Sequence, residues 1–247
     1  MNSEILINMT PQETRVAVIE QGVVQELHIE RTSSRGIVGN IYNGRVSRVL
    51  PGMQSAFIDI GLERAAFLHV ADIKEFGSNT DTDKPIERLL FEGANILVQV
   101  IKDAIGTKGA RLSTQISIAG RMLVYLPHEC HIGISQRIED NAERESLREK
   151  LQHVLPPEDK GGYIIRTMAE AASESDLRAD IEYLHKLWHD IQNKSLSASP
   201  PALLYQDLDL SHRVLRDFVD ETITGIVVDS RETHQKLTAF AQNYMSN

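Results

Sequence analysis

Short alternating runs of apolar and polar residues dominate the first part of the chain. The run Val16-Ala-Val-Ile19 has the period of two that is typical of a strand with one buried face. The pattern predicts strands at residues 4–9, 15–20 and 23–31, with Gln21-Gly22 as a tight turn. Because a hairpin this small is only marginally stable alone, we expect it to pack on an element that comes later in the chain.

Between residues 37 and 117 the chain continues as short strand-like segments punctuated by glycine. These segments are residues 40–49, 56–60, 65–70, 96–102 and 110–115. Five short strands with no long helix among them predict a small closed barrel of the OB type. Residues 77–84 are rich in Gly, Ser, Asn and Asp, which predicts an exposed, mobile loop between two barrel strands.

Helical periodicity begins after Gly120. One helix is predicted at residues 143–155, and a second begins after Ser173-Glu-Ser-Asp176, which resembles a capping box. Apolar residues at helical spacing predict the buried face of this second helix: Leu177, Ile181, Leu184, Trp188 and Ile191. The remaining predicted elements are strands at 122–126, 163–167 and 226–228, a linker at 197–201, and helices at 210–220 and 232–244.

The composition is that of an ordinary globular protein, with 41% hydrophobic and 25% charged residues over 247 positions. No window approaches the roughly 18 consecutive apolar residues of a membrane-spanning helix, and residues 1–4 do not resemble the start of a signal peptide. We therefore expect a cytoplasmic protein with no membrane partner. The single cysteine, Cys130, excludes an internal disulfide and a multi-thiolate zinc site.

The net charge of −9 argues against a nucleic-acid partner, but the charges are unevenly distributed. Between residues 100 and 121 the basic side chains are Lys102, Lys108, Arg111 and Arg121, with Asp103 as the one acidic side chain. A phosphate backbone responds to such a local patch rather than to the total charge of a chain. The acidity therefore does not exclude RNA.

Candidate RNA-binding residues lie in the barrel segment. Phe57 and Phe67, on neighbouring predicted strands, are suited to base stacking, which is worth roughly 1–3 kcal/mol per base. The alternative is that both rings belong to the core. Tyr42 is a third candidate, because its hydroxyl suits a wet surface. Three basic residues are candidates for phosphate contacts or, alternatively, are solubilising surface charges: Arg45, Arg48 and Lys108.

Two further segments are suited to phosphate groups. Gly106-Thr-Lys-Gly-Ala-Arg111 lacks the spacing of a nucleotide-binding P-loop, and a turn that presents Lys108 to a nucleic-acid backbone fits it better. Arg166-Thr167 sets a guanidinium beside a hydroxyl at the end of a predicted strand. Such a pair can hold a terminal phosphate through charge-assisted hydrogen bonds, although a structural pairing is the alternative.

Four motifs carry a resemblance to a known family. They are residues 35–61, the run Gly106-Thr-Lys-Gly-Ala-Arg-Leu112, Ile164-Ile-Arg-Thr167 and Val214-Leu-Arg-Asp217. With these motifs the chain, from about residue 4 to 245, resembles the bacterial ribonuclease E/G family. The resemblance implies an α+β fold. A structural, non-catalytic RNase-H-like subdomain would combine residues 1–35 and 206–247, with an OB-fold β-barrel at 36–115 and an α/β 5′-end sensor subdomain at 116–205.

The resemblance also implies roles for particular residues. Arg166 and Thr167 match the pair that holds the 5′-monophosphate of RNA, and Gly120 and Val124 match positions that contact the terminal nucleotide. The barrel positions that match RNA-contacting residues of the family are Phe57, Phe67 and Lys108. Where related enzymes carry a second basic residue near the phosphate, this chain has Gln136, with Arg137 beside it.

Members of this family cleave single-stranded A/U-rich RNA in ribosomal RNA maturation and messenger RNA decay. They hold Mg²⁺ on two aspartates of a later domain and form homo-oligomers through a later thiolate Zn²⁺ link, and no residues of this chain match either site. Asp59 and Asp229 are interpreted as barrel and turn residues. We therefore expect the chain to bind single-stranded RNA that carries a 5′-monophosphate, and not to cleave it.

Two other hypotheses remain open on the sequence. The chain is alternatively a free-standing OB-fold adaptor for RNA or protein, with no nuclease parent. The third hypothesis is an active nuclease that uses an RNase-H-like site. That site needs acidic residues on the first strands of its sheet, where the chain offers Glu4 and Glu20 at strand ends.

Overall fold

The chain forms two compact units in a computed structural model that describes residues 3–74, 84–219 and 222–245. One unit combines Met1–Gly36 with Leu208–Asn247, and the other comprises Ile37–Asp207. Among the helices of the described residues, none is long and apolar enough to cross a membrane. Most of the loop predicted at 77–84 lies outside the described residues.

The described strands and helices follow the predicted order. The strands are β1 (Ser3–Met9), β2 (Glu13–Glu20), β3 (Val23–Arg31), β4 (Ile41–Leu50), β5 (Ser55–Asp59), β6 (Ala66–His69), β7 (Asn95–Lys102), β8 (Arg111–Ser113), β9 (Ile118–Ala119), β10 (Leu123–Leu126), β11 (Ile132–Ile134), β12 (Gly162–Ile165), β13 (Ala202–Tyr205) and β14 (Ile223–Val228). The helices are α1 (Ile86–Leu89), α2 (Asn141–Val154), α3 (Glu174–Ser197), α4 (Leu210–Phe218) and α5 (Arg231–Tyr244). Four short elements have no counterpart in the sequence prediction: α1, β9, β11 and β13.

The first unit is a four-stranded sheet in the order β14-β1-β2-β3. The strand β14 runs parallel to β1, with Ile5 opposite Ile226. Ile5, Ile7 and Val16 form a buried cluster with apolar residues of α4 and α5, which include Val214 and Leu237. The expectation that the opening hairpin packs on a later part of the chain is therefore confirmed.

Five strands of the second unit close into an OB-like barrel. The ring runs β4-β5-β6-β8-β7 and returns to β4, and its pairs are antiparallel except for the parallel pair β6 and β8. Gly44 on β4 lies so close to the core that a Cβ atom there would be 2.6 Å from Cγ2 of Ile58. The barrel interior is filled by small and branched apolar residues of all five strands, which include Val46, Ile58, Leu68, Val100 and Leu112. The predicted α+β fold with an OB-type barrel is confirmed.

The rest of this unit is a small sheet in the order β11-β12-β10-β9, with the helices α2 and α3. The capping box at Ser173 and Asp176 is present at the start of α3, as predicted. Leu177, Ile181, Leu184 and Ile191 are buried, as the helical spacing indicates. Trp188 does not belong to this buried face: it is half-buried, and Leu187 is buried beside the stripe.

Candidate functional site

A row of side chains crosses the barrel strands at one level. Arg48 on β4 lies opposite Phe57 on β5, and Phe57 lies opposite Phe67 on β6. The row continues through Arg111 on β8 to Lys102 on β7. We call these five residues the aromatic-basic row. Two phenylalanines are thus flanked on both sides by cationic side chains.

The strand alternation places both phenylalanine rings outside the barrel. Their neighbours along β5 and β6 are fully buried, whereas Phe57 is 36% exposed and Phe67 is half-buried. The ring centroids lie 6.3 Å apart with an angle of 67° between the planes, an edge-to-face pair. The alternative that both rings belong to the core is wrong. The pair offers accessible aromatic surface of the kind on which bases stack.

The basic residues near this row differ in how firmly they are held. Nε of Arg111 donates a hydrogen bond to Oδ2 of Asp72 at 2.9 Å, and Nη2 forms an ion pair with the same oxygen at 2.8 Å. Arg48, Lys102 and Arg45 are exposed, and Arg45 lies opposite Asp59 on β5. The geometry therefore provides one anchored and several exposed cations beside the aromatic pair.

Lys108 is presented on a tight turn between β7 and β8. The backbone N–H groups of Ile105 and Lys108 each donate to the carbonyl of the other, at 3.2 and 3.0 Å. Gly106 has a φ of +58°, and a Cβ atom on Gly109 would lie 2.1 Å from the Ala65 carbonyl oxygen. The two glycines thus allow the turn and its close approach to the neighbouring strand. The Lys108 side chain is exposed at this turn.

The prediction of a wet-surface position for Tyr42 is wrong. This side chain is 5% exposed and belongs to the barrel core. The reason is that β4 is paired on both sides at this point, with Val98 of β7 and Leu203 of β13 opposite Tyr42. The Tyr42 hydroxyl accepts a hydrogen bond from Nδ2 of Asn40 at 3.4 Å. In this conformation the ring offers no face to a base.

The candidate sensor residues lie around the turn between β9 and β10. The Arg166 guanidinium donates to the carbonyl oxygens of Gly120 and Arg121, the second at 3.1 Å. Thr167 follows directly and opens a short 3-10 turn. Val124 is half-buried on β10, opposite Ile164 of β12. The structure thus brings Arg166, Gly120 and Thr167 together, with Val124 on the adjoining strand.

Asp180 of α3, which the sequence analysis did not single out, organises this turn. Its carboxylate accepts hydrogen bonds from the backbone N–H groups of residues 121, 122 and 123 at 2.8–2.9 Å. Gly120 makes this approach possible, because a Cβ atom there would lie 2.5 Å from Oδ1 of Asp180. The available signal was an acidic residue between Leu177 and Leu184, inside the apolar stripe of α3.

Gln136 and Arg137 lie in the loop after β11, and both are exposed. The N–H of Ser135 donates to the carbonyl of Ile165 at 2.8 Å, so this loop begins beside the residue that precedes Arg166. An exposed guanidinium therefore stands one position after Gln136, in a loop that starts next to the candidate sensor.

Comparison with known proteins identifies the family. The family model described as "Ribonuclease E/G family" matches residues 117–247, more than half of the chain. The chain belongs to the ribonuclease E/G family. It is 47% identical to Ribonuclease G of Escherichia coli (strain K12) over 99% of the chain and 51% of that protein. It is 45% identical to Ribonuclease G of Haemophilus influenzae, over 98% of the chain and 50% of the relative.

A more distant relative is Ribonuclease E of Nostoc sp. (strain PCC 7120), at 36% identity over 99% of the chain and 35% of that protein. The chain thus spans about half the length of the ribonuclease G relatives it matches. The predicted resemblance to the ribonuclease E/G family is confirmed. A barrel adaptor unrelated to nucleases does not agree with these matches.

The described residues of this ribonuclease E/G family member do not fit Mg²⁺ or Zn²⁺. In residues 3–74, 84–219 and 222–245, no group of three or more His, Cys, Asp or Glu side chains is arranged to hold a metal. Asp59 accepts from the Gly61 N–H at 2.9 Å, and Asp229 accepts from the Met9 N–H at 2.9 Å. The Met9 and Asn8 hydrogen bonds lower the pKa of Asp229. These two aspartates have the barrel and turn roles predicted for them.

Proposed function

We propose that the chain is the RNA-recognising part of a ribonuclease-G-type endoribonuclease. The observation that carries this proposal is the aromatic-basic row, in which the exposed Phe57 and the half-buried Phe67 lie between Arg48 and Arg111 on the outside of the barrel. Aromatic faces stack on bases while flanking cations contact phosphates, a combination suited to single-stranded RNA. Lys108 on its exposed turn would add a further phosphate contact.

We further propose that Arg166 and Thr167 hold the 5′-monophosphate of the RNA, with Gly120 and Val124 beside the terminal nucleotide. Two features support this assignment. The Arg166 guanidinium is held in place by carbonyl oxygens of the β9–β10 turn, and a guanidinium has five N–H donors to distribute among its partners. A terminal phosphate would accept charge-assisted hydrogen bonds from this guanidinium and from the Thr167 hydroxyl.

For the whole protein we propose cleavage of single-stranded A/U-rich RNA in ribosomal RNA maturation and messenger RNA decay. The names of the relatives, Ribonuclease G and Ribonuclease E, support ribonuclease activity, and the RNA class and the two processes are what the family resemblance implies. We also propose that the whole protein holds Mg²⁺ on two aspartates and forms a homo-oligomer through a Zn²⁺ link. Neither metal site matches residues of this chain, so both are proposed for other parts of the protein.

Binding of two otherwise identical oligonucleotides tests the recognition proposal. Fluorescence anisotropy is measured for a labelled single-stranded RNA with a 5′-monophosphate and for its 5′-hydroxyl form. The wild-type chain should prefer the phosphorylated RNA. Arg166→Ala should abolish that preference, because the removed guanidinium would contact only the terminal phosphate. A structural role alone would weaken both RNAs equally and would count against the sensor assignment.

The same assay tests the barrel. Phe57→Ala should weaken binding of both RNAs by about 5- to 150-fold, which corresponds to the roughly 1–3 kcal/mol of one stacked base. Phe91→Ala is the matched control, because Phe91 is a 73% exposed phenylalanine of the same unit outside the row. Equal effects of the two substitutions, or unchanged affinity in a folded Phe57→Ala variant, would contradict the proposal.

We expect these 247 residues to bind RNA without hydrolysing it. Incubation of 5′-monophosphorylated, unstructured RNA with the chain and Mg²⁺ should leave the RNA intact on a denaturing gel. Turnover that persists through purification and depends on protein concentration would refute this expectation. The wild-type binding titration provides the positive control for a folded preparation.

A further inference from the structure

A cavity of about 460 Å³ lies between α3 and the loop that precedes β12. One wall is a face of α3, formed by His185, Trp188 and His189 at helical spacings of three and four. The opposite wall is Tyr125 of β10 together with residues 156–161. Since neighbouring residues of a strand point to opposite faces, Tyr125 lies on the other side of the sheet from Val124. The cavity is therefore separate from the candidate sensor.

The floor of this cavity is a buried hydrogen-bond network. Asp159, whose side chain is 4% exposed, accepts from the Tyr163 hydroxyl at 2.5 Å and from Nε2 of His185 at 2.9 Å. It also accepts from the Gly161 N–H at 2.8 Å. Nε2 of His185 also lies 2.9 Å from the Tyr163 hydroxyl, so two partners hold the imidazole ring. The orientation of the His185 ring is thus fixed before any ligand arrives.

The tyrosines of the cavity are kept in their neutral form. Burial, followed by the charge of Asp159, raises the pKa of Tyr125 to about 12. Burial and the hydrogen bond to Asp159 also raise the pKa of Tyr163. The neutral Tyr163 hydroxyl donates to the Asp159 carboxylate.

The lining is unusually rich in planar rings. The Tyr125 ring lies edge-on to His185, with centroids 5.3 Å apart, and the Trp188 indole is held edge-on by His128 at 5.6 Å. Trp188 occupies a position where helical spacing predicts a core residue, yet the structure leaves it half-buried at the cavity. Lys160, an exposed cation, lies at the same cavity.

We propose that this cavity binds one nucleotide, with its base against the rings of Trp188 and His189 and its phosphate near Lys160. The volume lies within the roughly 300–1,000 Å³ of small-molecule sites. A flat base matches a lining of aromatic rings, and the nearby cation matches a phosphate. The ligand is either a free nucleotide or a nucleotide of the bound RNA, and only the second source rests on the proposed function.

Trp188 makes the test direct, because it is the single tryptophan of the chain. Its fluorescence is followed while the full chain is titrated with adenosine 5′-monophosphate, with uridine 5′-monophosphate, and with a 5′-hydroxyl RNA oligonucleotide. Ribose 5-phosphate, which lacks a base, is the ligand control, and free N-acetyltryptophanamide corrects for light absorption. Saturable quenching by a nucleotide and not by ribose 5-phosphate is expected.

Two variants connect the signal to the cavity. His189→Ala should raise the half-saturating concentration by about 5- to 150-fold through lost stacking. Lys160→Ala should raise it by up to about 5-fold, as expected for an exposed charge contact. Lys236→Ala removes an exposed lysine of the other unit and should change nothing. Circular dichroism and a thermal melt confirm that each variant is folded.

The outcomes distinguish a free nucleotide from a nucleotide of bound RNA, and they distinguish failure of the cavity proposal from failure of the proposed function. Quenching by mononucleotides assigns a free nucleotide, and quenching by the oligonucleotide alone assigns a nucleotide of bound RNA. Unchanged Trp188 fluorescence with every nucleotide ligand, or equal quenching by ribose 5-phosphate, overturns the inference. Anisotropy of the same labelled oligonucleotide is read in parallel. If the oligonucleotide binds but no nucleotide ligand quenches Trp188, only the cavity proposal fails. If the oligonucleotide does not bind, the proposed function fails, and the mononucleotide titration alone decides whether the cavity binds a nucleotide.

Discussion

At the scale of single residues, Gly120 and Asp180 explain why the candidate sensor has its shape. One carboxylate satisfies three successive backbone N–H groups, and the glycine lets that carboxylate approach. Unsatisfied buried N–H groups are costly, so this contact fixes the turn whose carbonyl oxygens position the Arg166 guanidinium. The match of Gly120 to a nucleotide-contacting position therefore has a structural reason in addition to any contact with RNA.

Gly120→Ala should destabilise the second unit, because the new Cβ atom would displace the Asp180 carboxylate. We expect a loss of about 1–3 kcal/mol in the free energy of unfolding, typical of an overpacked site. Urea unfolding measures it. Gly52→Ala is the control, since nothing lies within 4 Å of a Cβ atom at Gly52. Equal midpoints for the two variants would contradict this account of the turn.

At the scale of secondary structure elements, helix caps contribute stability with different dependence on pH. Asp209 caps α4: its Oδ1 accepts from the N–H of His212 at 3.0 Å, from Nδ1 of His212 at 2.8 Å and from the Ser211 hydroxyl at 2.6 Å. Burial by itself raises the pKa of Asp209, but these hydrogen bonds outweigh it and hold the pKa well below the usual range. Ser230 caps α5 with an uncharged hydroxyl, which accepts from Thr233 at 3.2 Å.

Asp209→Ala should cost about 1–2 kcal/mol of unfolding free energy at pH 7. A carboxylate with a lowered pKa in the folded state stabilises fully above its unfolded pKa of about 4, and this contribution disappears as the pH falls towards the folded pKa. The difference in unfolding free energy between the wild type and Asp209→Ala should therefore become smaller below about pH 4. Urea unfolding at several pH values measures it.

Ser230→Ala is the matched control for this pH dependence. It removes a cap of similar geometry that carries no charge, so its cost should stay nearly constant between pH 7 and pH 3. A cost of Asp209→Ala that is equally constant would show that the ionised form of Asp209 contributes nothing to the stability of the cap.

The secondary structure that the sequence predicted well is the part with a strong local period. Alternation located β1 to β8, and helical spacing located α2 to α5 within a few residues. The strands β9, β11 and β13, of two to four residues each, were missed, whereas the equally short β8 was located because it lies within a six-residue predicted segment, 110–115. Their existence depends on partners far along the chain: β13 is defined by its pairing with β4.

At the scale of the whole molecule, an acidic chain presents a basic surface. The net charge is −9, yet the aromatic-basic row and the Lys108 turn bring cations together on the outside of the barrel. RNA bound there would release counterions in proportion to the phosphates that it contacts. The distribution of charge on the barrel, rather than the total charge of the chain, would therefore decide the affinity for the proposed RNA ligand.

The affinity for a 5′-hydroxyl oligonucleotide should fall steeply between 50 and 300 mM KCl. Lys108→Ala should make the slope of log affinity against log salt shallower by about 0.7, the contribution of one phosphate contact to a single strand. Lys236→Ala, in the other unit, should leave the slope unchanged. A Lys108→Ala slope identical to that of wild type would remove Lys108 from the interface.

The sequence by itself determined the order of strands and helices, the OB-type barrel and, through its motifs, the ribonuclease E/G family. These features depend on local periodicity and on residue identity. Only the tertiary structure decided that Phe57 faces outward, that Tyr42 is buried and that Trp188 lines a cavity. The reason is physical. A periodic segment has two faces, and which of them is covered depends on elements that reach it from distant parts of the chain.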